Sequence, residues 1–534
     1  MRISIRPWRA IILLVIVTLV FSIWSLRGTD IQGQEESNIE EELGSKAPPS
    51  SWFEAQEEAK QLDKQPVAQT TKQHDDAETI SNSNEKSYGG LMCERYPDPG
   101  NIALSIKTGA TELVSRLGPL LNTTLSCIND LMIFSDLEDE FQGIKVHDVL
   151  SRFNESFKQA NPAFELYYRQ KELKALGRED EIPALANMPA PEREDYGRGK
   201  KAPWALDKYK FVPEVEMAYQ LQPGKDWYVF LEGDTYLSWG SLIRWLRTLD
   251  PTQKLYIGNA IQKSDDREPL FFAHGGDGFV LSEPAMKEFA VDHAGITTKL
   301  ADHTEKWWAG DFMLADALYD EIGLKVSDVS PMFNEYDSES LAFGSERMWC
   351  QPAITLHHMD EAKVRQIYAK EAELDYERLL LRDVYQATYT GPLSIKRGNW
   401  DNIASEQKYL LDNTNSVVLN ANQDFESCKA SCERNDECFQ FTFLNTTVAR
   451  AMIFPSEFER LHSCYLSKVF RLGHAKEEQS FENEVEYATY RSWTSGWRVE
   501  KINEWVQRHQ ECPDGDHWVQ LGHEKMAGGS GHTV

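Results

Sequence analysis

DWYVFLEGDTYLSW, residues Asp226 to Trp239, is the stretch from which the fold is read. Its first part, Trp227 to Leu231, is short, continuous and rich in strand formers, which describes a strand buried on both faces. The run stops at Glu232-Gly233-Asp234. Carboxylates directly after such a strand lie at the carboxyl edge of a parallel sheet, where open α/β folds bind ligands. An acidic residue there can hold a hard divalent cation through oxygen, and the cation can hold a diphosphate. The plain alternative is an acidic turn after a strand.

Working outward, Ile102 to Ile106 is a strand candidate followed by Lys107-Thr108-Gly109. Glu112 to Leu125 has helical spacing, with Pro119 as a kink, and Leu131 to Phe134 is a second strand ending at Ser135-Asp136. Strand, helix and strand so close together form a βαβ unit with a right-handed crossover. Lys107, Thr108 and Asp136 then face the same edge as Asp234. Lys254 to Gly258 is a further strand, and Leu270 to Phe272 and Phe279 to Leu281 flank the turn from His274 to Gly278. That turn does not open a helix after the first strand, so it is not a dinucleotide fingerprint. It is either a plain glycine turn or a loop whose backbone can approach a sugar closely.

Trp307-Trp308-Ala309-Gly310-Asp311 precedes a clear helical run from Phe312 to Leu318. Asp311 therefore lies at a helix N-terminus, either as a cap or as a general base beside an aromatic wall. Thr355-Leu356-His357-His358-Met359 puts paired imidazoles after a strand-like segment. One of them could serve a metal, or both could be packed residues.

Composition limits the setting. Ala10 to Leu26 is almost wholly apolar, with Arg2, Arg6 and Arg9 before it and Glu35, Glu36 and Glu40 after it. That pattern predicts an uncleaved signal anchor with the N-terminus cytosolic and the bulk of the chain lumenal, a cleaved signal peptide being the alternative. The short span suits a thinner membrane of the early secretory pathway. Residues 27–90 read as a disordered stem. The net charge of −29 excludes nucleic acid as a partner. The eight Cys are compatible with full disulfide pairing in an oxidising lumen. Sequons begin at Asn122, Asn154 and Asn445. Asp514-Gly515-Asp516 is a second acid-x-acid match, but no strand precedes it and it reads as part of a polar tail.

Together these marks resemble glycosyltransferase family 31, the β1,3-transferases that include Fringe and the core 1 β1,3-galactosyltransferase. The marks are IFSD at Ile133 to Asp136, FLEGDTYL at Phe230 to Leu237, GGDGFVLS at Gly275 to Ser282, Gly310-Asp311, and LHHM at Leu356 to Met359. Within that family the chain resembles the fungal branch akin to the core 1 enzyme. It departs from the usual three consecutive acids by having Gly233 in the middle. The resemblance implies a GT-A fold, an α/β Rossmann-like mixed sheet flanked by helices, and a UDP-sugar donor. It implies Mn²⁺ on Asp234 and one of His357 or His358, with Asp311 as the base that accepts the acceptor's proton. Lys107, Thr108, Asp136, Glu232 and Gly233 would line the donor side, and Gly275, Gly276, Trp307 and Trp308 the acceptor or donor pocket. Galactose is the expected sugar, N-acetylglucosamine its alternative, and a glycoprotein O-glycan the acceptor.

Near the C-terminus, Cys428, Cys432 and Cys438, followed by Cys464, resemble a PAN/apple-like module. The resemblance implies Cys432–Cys438 and Cys428–Cys464 bonds. The expected order is cytosolic tail 1–9, transmembrane anchor 10–26, stem 27–90, catalytic domain 91–385, linker 386–415, apple-like domain 416–500 and tail 501–534. The whole is expected in the Golgi or early secretory pathway. The competing readings are a non-catalytic chaperone relative and a membrane-tethered lectin.

Overall fold

Trp227–Glu232 lies inside a mixed sheet of eight strands. The computed structural model describes residues 93–191, 201–262, 271–389, 391–409, 421–450, 458–483, 487–515 and 517–521. The expected anchor at 10–26 and the stem to residue 90 lie outside these. Among the described residues no helix is long and apolar enough to cross a membrane.

The sheet order is Val326–Asp328, Tyr256–Gly258, Phe279–Ser282, Trp227–Glu232, Ile102–Lys107, Leu131–Ser135, Ile144–Asp148, Asp139–Phe141. Ile102–Lys107 runs parallel to both Leu131–Ser135 and Trp227–Glu232, as the βαβ reading requires. Phe279–Ser282 is antiparallel to its two neighbours, so its N-terminal end meets the carboxyl ends of the others. Every residue of Ile102–Lys107 is buried. Its side chains alternate between two cores, because successive strand residues point to opposite faces. Leu104, Ile106, Val229 and Leu231 enter one core, and Ala103, Phe134, Tyr228 and Phe230 the other. Helices Leu113–Leu121 and Trp239–Leu246 pack into the first core, and Phe211–Leu221 and Gly310–Ile322 into the second. The helix expected over 112–125 stops at Leu121, beyond Pro119, and the chain re-forms as a tighter turn at Thr124–Cys127.

A second small sheet matters for the site. Tyr236–Leu237 pairs antiparallel with Thr355–Leu356, which pairs parallel with Phe333–Asn334. The Thr355↔Leu237 and Leu356↔Tyr236 register brings residue 357 alongside the end of the acidic turn.

The C-terminal part has its own sheet, in the order Arg397–Gly398, Tyr487–Trp497, Gln440–Arg450, Phe458–Ser467, Gln407–Tyr409, with Gln479–Asn483 also on Tyr487–Trp497. Helix Phe425–Arg434 is bonded to it through Cys428–Cys464 and turned at its end by Cys432–Cys438. The other bonds are Cys93–Cys127 and Cys350–Cys512. Two expectations need correction. Residues 386–415, expected as a linker, supply strands Arg397–Gly398 and Gln407–Tyr409 where described. Residues 501–534, expected as a tail, begin within helix Val499–Arg508 and are bonded through Cys512 to Cys350. The first was read as a linker because two- and three-residue strands carry no periodicity of their own, and the second because its boundary was set inside a ten-residue helix. Phe439, Phe470, Trp497, Ile502 and Trp505 join Phe343 and Trp349 in one buried cluster, so the two sheets share a core.

Candidate active site

The acidic turn, the His pair and the glycine turn meet at the carboxyl edge of the large sheet. Asp234 follows the strand Trp227–Glu232, and its backbone carbonyl accepts from the Met359 amide at 2.9 Å. Adjacent residues leaving a strand ordinarily send their side chains to opposite sides. His358 breaks that alternation with φ 57°, a left-handed conformation that costs a non-glycine residue roughly 1–2 kcal/mol. The two imidazoles consequently stack, with centroids 3.7 Å apart. His357 Nε2 lies 3.5 Å from Asp234 Oδ1, and His358 Nδ1 lies 3.6 Å from Asp234 Oδ2. Ligand atoms of all three residues fall within 4.8 Å of one another, a possible divalent-cation site. One carboxylate and two imidazoles suit a borderline transition metal. His357 Nδ1 is buried without a hydrogen-bond partner and lies 3.9 Å from Asp277 Oδ1.

Arg116, from helix Leu113–Leu121, donates to Asp234 Oδ2 at 2.8 Å. Burial opposes charge on Asp234, but His357, His358 and Arg116 outweigh it and hold the carboxyl well below its usual range. Gly233 packs against the same arginine. A Cβ there would stand 3.0 Å from Thr108 Oγ1 and 3.2 Å from Arg116 Cβ.

The glycine turn is neither idle nor open. At Gly276 a Cβ would collide with the His357 ring, so glycine is what allows the imidazole to face Asp234. The Gly275 amide donates to Asp311 Oδ2 at 2.9 Å, and the Phe312 amide to Asp311 Oδ1 at 2.7 Å. Asp311 lies in the first turn of helix Gly310–Ile322, whose cap position is Ala309, so it is not the N-cap. It ties the glycine turn to the helix instead. Burial pushes its carboxyl up, with His274 pulling the other way. His274 Nδ1 is 2.7 Å from Asp277 Oδ1, and Asn259 donates to Asp277 Oδ2 at 2.7 Å. Burial lowers the His274 imidazole, but Asp277 more than reverses this and raises it to about 10. His274, Asp277 and His357 also have clustered ligand atoms, but the short His274–Asp277 contact already joins two of the three.

Beside this layer lies a network of charges around two buried lysines. Lys107 Nζ bridges Asp207 at 2.7 Å and Glu232 at 3.0 Å, over the face of Phe211. Lys210 Nζ bridges Asp136 at 3.1 Å and Asp207 at 3.4 Å. Asp136 also accepts from the Ala110 amide at 2.7 Å. Lys107 and Asp136 were expected to line the donor pocket. Both are buried and held in these ion pairs. Thr108 is buried too, and its hydroxyl has no hydrogen-bond partner. Trp307 packs edge-on against Phe312 with centroids 4.7 Å apart, and its Nε1 donates to His303. Trp308 is half-exposed beside it. Arg116, Asp207, Lys210, His274 and Asp277 were not singled out from sequence as site residues. The spacing of His274 and Asp277 in a tight turn was the one signal available for them.

Residues 207–374 match the family model described as Fringe-like. The matched span runs from Asp207 past Asp234, Asp277, Asp311 and the His pair, while Lys107, Arg116 and Asp136 precede it. It supports a Fringe-like glycosyltransferase family and points to glycosyltransferase activity, with a nucleotide-sugar donor and a glycan acceptor. No curated protein matches the chain.

Proposed function

We propose that the protein is a divalent-cation-dependent, inverting glycosyltransferase. It transfers galactose from UDP-galactose to a glycoprotein O-glycan, forming a β1,3 linkage to N-acetylgalactosamine. The observation that carries this reading is the continuity of the edge: Asp311 binds Gly275, Gly276 seats His357, and His357 faces Asp234. The glycine turn thus touches both the proposed proton acceptor and the proposed cation site. Asp234, His357 and His358 would hold the cation, with Mn²⁺ proposed. When bound, such an ion offsets the charge that develops on the departing diphosphate.

Asp311 takes the proton of the acceptor hydroxyl as that oxygen bonds to the anomeric carbon, and the bond from that carbon to the diphosphate breaks with its electrons leaving on UDP. A single displacement converts an α-linked donor to a β product. Burial raises the Asp311 carboxyl, which makes it a stronger base than an exposed aspartate and suits this role. Trp307 and Trp308 offer apolar faces to a sugar ring beside Asp311. We further propose a type II Golgi membrane protein with an anchor at 10–26, a stem to residue 90, a GT-A catalytic domain and an apple-like module around Cys428 to Cys464.

The test is UDP release by the full chain with UDP-galactose, UDP-N-acetylglucosamine or UDP-N-acetylgalactosamine, with Mn²⁺ or chelator. The expected result is release with UDP-galactose and an O-glycan acceptor, lost on chelation and in Asp234→Ala. No release from folded protein with any donor across a glycan panel would turn the reading to a chaperone or lectin.

A further inference from the structure

We infer that Arg116 is a diphosphate-binding residue that holds Asp234 before the donor arrives and gives it up when cation and nucleotide enter together. This rests on the donor reading above, and four observations carry it.

Arg116 takes the same Asp234 oxygen that lies nearest His358, at 2.8 Å against 3.6 Å. A divalent ion bound by Asp234 and the imidazoles would therefore lie beside a guanidinium, and like charges so close repel strongly. The guanidinium must move for the ion to bind. It is free to do so, because the Arg116 side chain is 38% exposed while that of Asp234 is only 11% exposed. Its other contact among charged groups is Glu112, one helical turn back at 3.5 Å.

The acidic motif is also short of charge for an ion alone. Gly233 contributes none, and Glu232 is paired with buried Lys107 at 3.0 Å. Each acid of the turn already has a cationic partner, so free Mn²⁺ competes for an occupied carboxylate. A diphosphate changes this balance, because it supplies the negative charge to which both the ion and the displaced guanidinium can bind. Arginine presents a planar fork that matches phosphate oxygens. Gly233 is what lets the arginine stem cross the turn. Beside the same glycine, buried Thr108 has a hydroxyl without a hydrogen-bond partner.

The consequence is coupling. Ion and nucleoside diphosphate should each bind weakly alone and strengthen one another. Mn²⁺ binding to the full chain is measured by electron paramagnetic resonance, and UDP binding by calorimetry, in wild type, Arg116→Gln, Arg116→Lys and Gly233→Ala. Wild type should bind Mn²⁺ about tenfold tighter with UDP than without, a typical coupling between sites. Arg116→Gln should bind Mn²⁺ alone about tenfold tighter than wild type, and UDP about tenfold weaker. Arg116→Lys should recover part of the UDP affinity. Gly233→Ala, which crowds the arginine stem, should shift both affinities in the direction of Arg116→Gln. If UDP binds wild type and Arg116→Gln equally, or Mn²⁺ alone binds both equally, the role of Arg116 is overturned and the donor reading stands. If UDP binds wild type under no condition, both fall.

Discussion

The carboxyl edge of the large sheet and the junction between the two sheets are built on opposite principles. The edge is charged. Lys107, Asp136, Asp207 and Lys210 form bridged ion pairs, His358 holds a left-handed backbone, and a hydroxyl and a ring nitrogen are left without hydrogen-bond partners. The junction is aromatic. Trp349 meets Trp505 edge-on at 5.0 Å, Phe343 and Phe470 exchange backbone hydrogen bonds at 2.8 Å, and Cys350–Cys512 closes over it. Buried ion pairs add little net stability, because desolvation offsets their attraction. Buried aromatic clusters add a good deal. One body therefore separates the residues that hold it together from the charged residues of the proposed site. The C-terminal sheet, sharing a core with the first, belongs to the holding side.

That contrast breaks most readily at Asp311. Under the proposed function, Asp311→Asn lowers donor- and acceptor-dependent UDP release by about 10²–10⁴, the usual contribution of a positioned base. The asparagine keeps one oxygen to accept from the Gly275 or Phe312 amide, so melting should move by only a few degrees. Parallel turnover and thermal melting measurements decide it. A large loss of stability with the loss of turnover would mean that the edge is also a structural joint.

At the junction the expected balance reverses. Trp505→Ala removes the ring that packs on Trp349, Phe439 and Phe470 and should cost about 3–5 kcal/mol, read as a lower urea midpoint. Replacing Cys350 and Cys512 by Ser opens a bond between residues 162 apart and should cost about 2–4 kcal/mol. At a temperature where each variant remains folded, both should release UDP at nearly the wild-type rate. A specific loss of turnover would show that the C-terminal sheet supports the site as well as the core.

Legibility in the sequence follows the same division. Asp234, Asp311 and the His pair stood out because each sits where an apolar run ends or begins, and such borders are visible in a linear pattern. The strands Ile102–Lys107, Leu131–Ser135 and Trp227–Glu232 were legible because burial on both faces leaves unbroken apolar runs. Arg116 was not, since an arginine four residues after Glu112 looks like an ordinary solvated helix pair. Lys107 and Asp136 were placed at the correct edge, but their ion pairs were not legible, because sequence does not tell a charge facing solvent from one paired with a distant residue. The junction was hidden for another reason. Cys350 and Cys512 have no local relation, and strands as short as Arg397–Gly398 exist through their partners rather than through their own pattern.

The smallest effect lies directly under the edge, at Glu214. This carboxyl is 1% exposed on helix Phe211–Leu221 and accepts from Ser105 Oγ at 2.6 Å. Burial pushes it up to about 8, with Lys107 pulling it down less strongly. The folded protein therefore keeps this proton over a range where the unfolded chain has lost it. Its stabilising contribution is full below about pH 4.3, the ordinary glutamate value, and declines as pH rises until it is lost beyond about 8. Within that window the slope is at most about 1.4 kcal/mol per pH unit. Glu214→Gln keeps an acceptor for Ser105 but has no proton to lose. Its melting temperature should fall less steeply than that of wild type between pH 5 and about 8, while UDP release at pH 7 stays within about twofold. Equal slopes would remove Glu214 as the titrating group. A shifted pH profile of turnover would mean that the charged network around Lys107 reaches further into the chemistry than its position suggests.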